Sequence, residues 1–571
     1  MIALKRALDD PYLVQSFSGV RTRFGDSAEI DADKQALSSA YGYYYGRSLN
    51  GAPGRVILAR DPRVSGRALT QALVRGLIAS GAPEIVDLGI ITTPLAQSAV
   101  RSFGAAGGII VTGSHNPLCD NGWKFLTPAR ARRAGSAPEG ALLAAEHMEE
   151  IIGQVARAAE HGDAEMEAAL ERVTPRDAFS ALLKSGSRRA HNSAAQAYIK
   201  TIANDWRLDV EDVRGRHLGP IVLDANGGAA SGLNSGVLED LGVRVYEMNG
   251  ELSRPAHPID TDSVDEATGE HVLMRVARAV EDCGALFGIA FDYDADRGNL
   301  VLPGSAQDCV VPPQSVSALN VALSLARWKA AGRQAPETWV VASDATSRRV
   351  EHIAAAFGAR VAWVETGEVN VATRIQELSL SGAEVPVGVE GANGGTIFAG
   401  STCRDGLLTG LSCALAAAGE EAVGVMMETL GFSTDDVRDG IQGLMDCLPC
   451  WHTRSARLQL NPAPHSEVKS MLERRFEKQI WPVIGHRYDS YRFGNYEGSR
   501  EVTERTGDHT GGWRIELERD GARPFVFVRG SRTEAGIWRV IADSPDAAEA
   551  RELMDAATQM LEASDEVETG S

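Results

Sequence analysis

Three aspartates alternate along Phe291-Asp292-Tyr293-Asp294-Ala295-Asp296-Arg297, directly after the apolar run Ala285 to Phe291. Carboxylates at alternate positions can converge on one hard cation when the chain curls into a loop, and an all-oxygen donor set suits Mg2+. Left without a cation, the three would repel one another. The spacing is not that of an EF-hand, which needs Gly sixth and Glu twelfth; here those positions are Arg297 and Pro303. A solvated acidic loop is the simpler alternative, and the position of the triplet at a strand end argues against it.

A second stretch, Val111-Thr112-Gly113-Ser114-His115-Asn116-Pro117, also follows an apolar run, Gly107 to Val111. It places a serine hydroxyl at the carboxyl end of a strand, where open α/β sheets bind ligands. His115 beside it could exchange protons, and Pro117 stiffens the loop by fixing its own φ and restricting Asn116. Lys124 supplies an ammonium that could fold back over the same loop. Taken alone, this is a polar turn after a strand. The acidic loop, a second reactive cluster at a strand end, tips the balance toward a functional site.

Three further segments carry weaker signals. In Gly388 to Ile397, Glu390 and Asn393 could bind vicinal hydroxyls while the glycines admit a ligand to the backbone; a hairpin turn at Asn-Gly is the alternative. After the strand-like Phe525 to Val528, Arg529-Gly530-Ser531-Arg532-Thr533 suits phosphate capture by guanidinium, hydroxyls and backbone N–H groups. Arg21, in the glycine-containing stretch Ser16-Phe17-Ser18-Gly19-Val20-Arg21, could also bind phosphate, although arginines on turns are common.

The elements that must hold these loops repeat. Arg55 to Ala59 has the pattern of a strand, and Arg60 to Gly66 that of a loop. Arg67 to Ser80 has the pattern of a helix, with Leu69, Leu73 and Leu77 on one stripe and Ser65 as its N-cap, and Glu84 to Leu88 that of the next strand. The same strand, helix, glycine, strand order recurs in 220–248 and 338–365. Three such units predict internally repeated α/β domains. Thr127 to Ser193, rich in Ala, Glu and Arg, predicts a helical elaboration of the first domain rather than a partner-binding insertion. Pro545 to Leu561 predicts a closing helix.

A chain of 571 residues suggests about four domains at roughly 150 residues each. Lys+Arg of 57 against Asp+Glu of 77 leaves a net charge of −20, which argues against nucleic acid or an anionic membrane as a general partner. Local arginines still permit an anionic substrate. No apolar run is long enough to span a bilayer, and Met1 to Pro11 lacks a signal-peptide apolar core, so a cytoplasmic location is expected. The 7 cysteines are scattered, which predicts reduced thiols; the single Cys447/Cys450 pair is poor evidence for zinc.

The Thr-Gly-Ser-His-Asn-Pro and Asp-x-Asp-x-Asp-Arg loops together resemble those of the α-D-phosphohexomutases, the family of phosphoglucomutase, phosphomannomutase and phosphoglucosamine mutase. The resemblance covers nearly the whole chain. It implies an α/β architecture with three repeated βαβ-type domains and a C-terminal α+β domain around a central cleft. The boundaries expected are 1–193, 194–311, 312–432 and 433–571. It implies that Ser114 is the phosphoserine and that Asp292, Asp294 and Asp296, with the serine phosphate, hold Mg2+. Lys124 becomes a general acid/base, His115 and Arg297 catalytic neighbours, and Arg21 a partner of the serine phosphate. Glu390 and Asn393 fall in the sugar loop; Arg529, Ser531 and Thr533 fall in the loop for the non-transferred phosphate. The implied reaction interconverts hexose or hexosamine 1- and 6-phosphates, with a hexose 1,6-bisphosphate as activator, in a monomer or homodimer.

This sequence departs from the family pattern at Tyr293 and Ala295, where glycine is frequent, and at Gly395, where a histidine is frequent. Gly530 replaces a proline and Arg532 a glycine. A metal-dependent sugar-phosphate phosphatase and a catalytically silent sugar-phosphate binder are the two other readings.

Overall fold

The computed structural model describes residues 2–49, 54–82, 84–129, 137–252, 254–258, 263–265, 268–305, 307–333, 337–433, 440–460, 465–502, 512–531 and 536–568. The chain forms two compact units, Met1–Val311 with Thr396–Glu420, and Pro312–Gly395 with Glu421–Ser571.

In the first unit, one six-stranded sheet runs in the order 14–16, 19–23, 120–126, 107–111, 56–60, 85–90. Strand Gly107–Val111 is buried along its whole length and lies parallel to Val56–Arg60. That burial explains its unbroken apolar sequence. Asp120–Leu126 returns antiparallel beside it, so the strand that carries Lys124 is a direct neighbour of the strand that leads to Ser114. Helices Ala32–Ser48 and Gly66–Ala79 pack against each other. Their backbones meet at Gly42 and Gly76, where an added Cβ would overlap the carbonyls of Leu73 and Ser39. Tyr41 stacks on Trp123 at 5.6 Å between centroids, and this aromatic core backs the sheet.

Ser65 sits at the start of helix Gly66–Ala79 but makes no capping bond, contrary to the sequence expectation. Its hydroxyl accepts instead from Asn121 Nδ2, so a bond to the neighbouring strand has displaced the cap. Beyond Thr127, helices run over Ala145–His161, Ala164–Glu171, Pro175–Lys184 and Ser187–Asp205. The last of these runs through residue 193. A second sheet in this unit orders its strands 298–301, 288–291, 218–224, 243–248.

In the second unit, parallel strands 360–364, 338–343 and 384–390 lie side by side, with Thr338–Ser343 in the middle. The C-terminal part is a five-stranded antiparallel sheet in the order 452–459, 537–544, 525–530, 513–518, 490–494, closed by helix Ala547–Glu568. Among the described residues no single helix is long and apolar enough to cross a membrane. All seven cysteines are free thiols, Cys447 buried and Cys450 exposed.

Candidate active site

The serine turn begins where strand Gly107–Val111 stops. Thr112 Oγ1 donates to Asp61 Oδ2 at 2.7 Å and accepts from Ser114 N at 2.8 Å, which folds the chain back on itself. Ser114 takes a left-handed conformation, φ 51°. Ser114, His115 and Asn116 are all buried.

The acidic loop begins where strand Gly288–Phe291 stops. One carboxylate oxygen from each of Asp292, Asp294 and Asp296 lies within 4.8 Å of the other two. All three residues are buried. The loop is closed by Ala295 N donating to Asp292 O at 3.0 Å, with Ala295 at φ 58° where a glycine would be unstrained.

Cations surround this triad. Lys124 Nζ donates to Asp294 Oδ2 at 2.7 Å and to Asp296 Oδ2 at 3.1 Å. It thus reaches the acidic loop, whereas the sequence reading folded it over the serine loop. Arg404 Nη2 donates to Asp296 Oδ2 at 2.7 Å. Arg297 Nη2 lies 3.2 Å from His115 Nδ1. A guanidinium can only donate, so Nδ1 accepts and the neutral ring carries its proton on Nε2. This contact joins the two loops. Thr93 adds a second clamp: its N donates to Asp294 O at 2.9 Å and its Oγ1 to Asp294 Oδ2 at 2.8 Å.

Burial, and then the neighbouring charges of Asp296 and Asp294, push the Asp292 carboxyl well above its usual range. Burial also disfavours ionised Asp296, but Arg404, Lys124 and Arg297 overcome it and hold that carboxyl low. Asp292 Oδ2, Asp294 Oδ1 and Asp296 Oδ1 are buried without a hydrogen bond among the described residues. A clustered triad in which each carboxylate keeps an oxygen free of hydrogen bonds among the described residues fits a hard divalent cation. Arg21, in strand Gly19–Arg23, is buried, and burial lowers its pKa to about 10. Its Nε and Nη1 have no hydrogen-bond partner among the described residues. Donors left in this way suit a phosphate.

In the second unit, Glu390 ends strand Glu384–Glu390 and is buried. Gly391–Asn393 is a 3-10 turn followed by left-handed Gly394, so the Asn-Gly pair does not form a two-residue hairpin. Arg529, in strand Phe525–Gly530, stands opposite Arg539 of strand Ile537–Ser544 in the ladder, and its Nε is buried without a hydrogen-bond partner among the described residues. Ser531 N donates to Ile537 O at 2.7 Å. Thr533 and the Asn393 side chain lie outside the described residues. Arg404 and Thr93 escaped the sequence reading.

The family model described as phosphoglucomutase/phosphomannomutase, alpha/beta/alpha domain I, matches residues 15–157, and that for domain III matches residues 320–432. A phosphoglucosamine mutase of Synechococcus sp. (strain CC9902) is 28% identical over 399 residues, covering 69% of this chain and 72% of that protein. One from Parasynechococcus marenigrum (strain WH8102) is 29% identical over 407 residues, covering 71% and 74%. Among solved structures, a phosphoglucomutase/phosphomannomutase family protein from Burkholderia thailandensis superposes with a TM-score of 0.63 at 20% identity, over 99% of this chain and 98% of that one.

Proposed function

Because the chain belongs to the α-D-phosphohexomutase family, we propose that it interconverts the 1- and 6-phosphates of a hexose or hexosamine through a phosphoserine at Ser114. What supports the reading is the junction of the serine and acidic loops, with Arg297 against His115 and Lys124 against Asp294 and Asp296. A phosphoryl group on Ser114 Oγ passes to a free hydroxyl of the sugar monophosphate. The P–Oγ bond breaks and a P–O bond to the sugar forms. Lys124 is the group we assign to proton exchange, donating to the departing Oγ and recovering a proton from the attacking hydroxyl. The resulting bisphosphate reorients and returns its other phosphate to Ser114, and free hexose 1,6-bisphosphate primes the enzyme by the same step.

Asp292, Asp294 and Asp296, with the Ser114 phosphate, are the residues that would hold Mg2+. When bound, the ion neutralises charge on the transferring group, which is much of what phosphoryl transfer needs. Arg21 is assigned to the Ser114 phosphate. Glu390 and Asn393 are assigned to the sugar, and Arg529, Ser531 and Thr533 to the phosphate that does not react. Binding energy away from the reacting centre then orients it. Each of the segments 1–193, 194–311, 312–432 and 433–571 holds a sheet of four or more strands of its own, which supports taking them as four domains. The phosphoglucosamine mutase relatives make glucosamine phosphate the first substrate to try.

The test supplies Mg2+, a trace of hexose bisphosphate and, separately, the 1-phosphates of glucosamine, N-acetylglucosamine, mannose and glucose. The expected outcome is 6-phosphate without free phosphate from at least one sugar, and loss of turnover by about 10³-fold or more in Ser114→Ala. Undiminished turnover in that variant, or free phosphate as the product, overturns the reading.

A further inference from the structure

The loop Arg60 to Gly66 has no part in the reaction so far, yet it carries Arg63, whose side chain is wholly buried. A guanidinium has five N–H groups, and each of Arg63's has an acceptor. Nε donates to Asp61 Oδ2 at 3.0 Å. Nη1 donates to the carbonyls of Pro117 and Asp120. Nη2 donates to the carbonyls of Ser114 and Asn116, each at 2.7 Å. Four of the five acceptors are therefore carbonyls of the segment that bears Ser114. A Cβ on Gly113 would come within 2.6 Å of Arg63 Cζ, so the guanidinium lies directly against the turn. Asp61 links the same cation to Thr112, and Thr112 holds Ser114 N. The Tyr293 ring, between two aspartates of the acidic loop, lies 5.4 Å from Arg63 Cζ.

We infer that Arg63 is a positioning residue for phosphoryl transfer: it holds the Ser114 turn in its left-handed conformation and packs it against the acidic loop through Tyr293. The inference rests on Ser114 as the phosphoryl carrier. Lysine cannot substitute, because an ammonium offers three donors and no planar fork to reach these carbonyls. Misplacing a reacting group by about 1 Å can slow a reaction about 10²-fold.

The test compares wild type with Arg63→Lys and Arg63→Ala by hydrogen exchange of the 107–120 segment, thermal melting, and kcat and KM for the sugar phosphate. Expected are exchange about tenfold faster in that segment, kcat lower by about 10²-fold, and KM within about threefold of wild type. Guanidinium ion at millimolar concentration restores part of the kcat of Arg63→Ala and slows its exchange. Wild-type exchange and kcat in Arg63→Lys overturn the inference. So does a loss of kcat that guanidinium leaves untouched while exchange rises evenly over the whole chain. If Arg63→Ala does not fold, Arg63→Lys decides by exchange and kcat. If wild type turns over no sugar phosphate, the reading of Ser114 falls, and exchange in the variants still decides whether Arg63 holds the turn.

Discussion

Asp296 gathers more cations than its two neighbours in the acidic loop: Lys124 and Arg404 by hydrogen bond and Arg297 at 3.8 Å. Arg404 is the member with a measurable signature. Replacing it by glutamine removes a charge-assisted bond to a buried carboxylate, typically about 1.5–3 kcal/mol. The three carboxylates then repel one another with less compensation. Arg404→Gln should therefore lower the Tm in EDTA, and added Mg2+ should raise that Tm by more than it does in wild type. An equal Mg2+-induced shift in the two proteins would separate Arg404 from the acidic loop. The serine and the triad were legible because reactive residue types stand directly at strand ends. Arg404 and Thr93 were not, because they reach Asp296 and Asp294 from 108 and 201 positions away in sequence. Lys124 was picked out by its residue type, while its partners depended on how the strands pair.

Between its parallel and antiparallel sheets, the second unit buries a charge cluster. Glu516 pairs with Arg348, with Arg492 at 2.7 Å and with Arg514 at 2.9 Å. Burial opposes its ionisation, but Arg514, Arg348 and Arg492 win and hold its pKa at about 2 against an ordinary 4.5. A carboxyl depressed in this way stabilises the fold fully above pH 4.5 and loses that contribution as pH falls towards 2. Wild type should lose stability across this window, read as a falling urea midpoint. Glu516→Gln should be less stable at neutral pH by about 3–5 kcal/mol, because the buried guanidiniums of Arg348 and Arg514 lose the carboxylate they share. It should also show a smaller fall below pH 4.5. Identical pH profiles would remove Glu516 from the account. At this scale, the repeated strand, helix, strand units were visible as periodic apolar stripes. The antiparallel strand His452–Gln459 was not, because it is exposed at alternate or consecutive positions and carries no apolar run. Ser65 had the chemistry of an N-cap, and a bond to Asn121 took its hydroxyl.

Over the whole molecule, the net charge of −20 is offset locally by Arg21, Lys124, Arg297 and Arg404 around the acidic loop. An acidic protein can in this way receive an anionic substrate. The α/β character followed from the repeated strand, helix, strand pattern, whereas the way the helices of residues 145–205 pack depended on contacts that no periodicity encodes. The central claim is that Ser114 carries the phosphoryl group to the sugar. Its most direct test is a single turnover of enzyme labelled with ³²P at Ser114, mixed with unlabelled glucosamine 1-phosphate and Mg2+ and quenched within milliseconds to seconds. The account predicts that the label leaves Ser114 and appears in sugar bisphosphate and then in 6-phosphate. Label in inorganic phosphate, or label that stays on Ser114 while 6-phosphate forms, would contradict it.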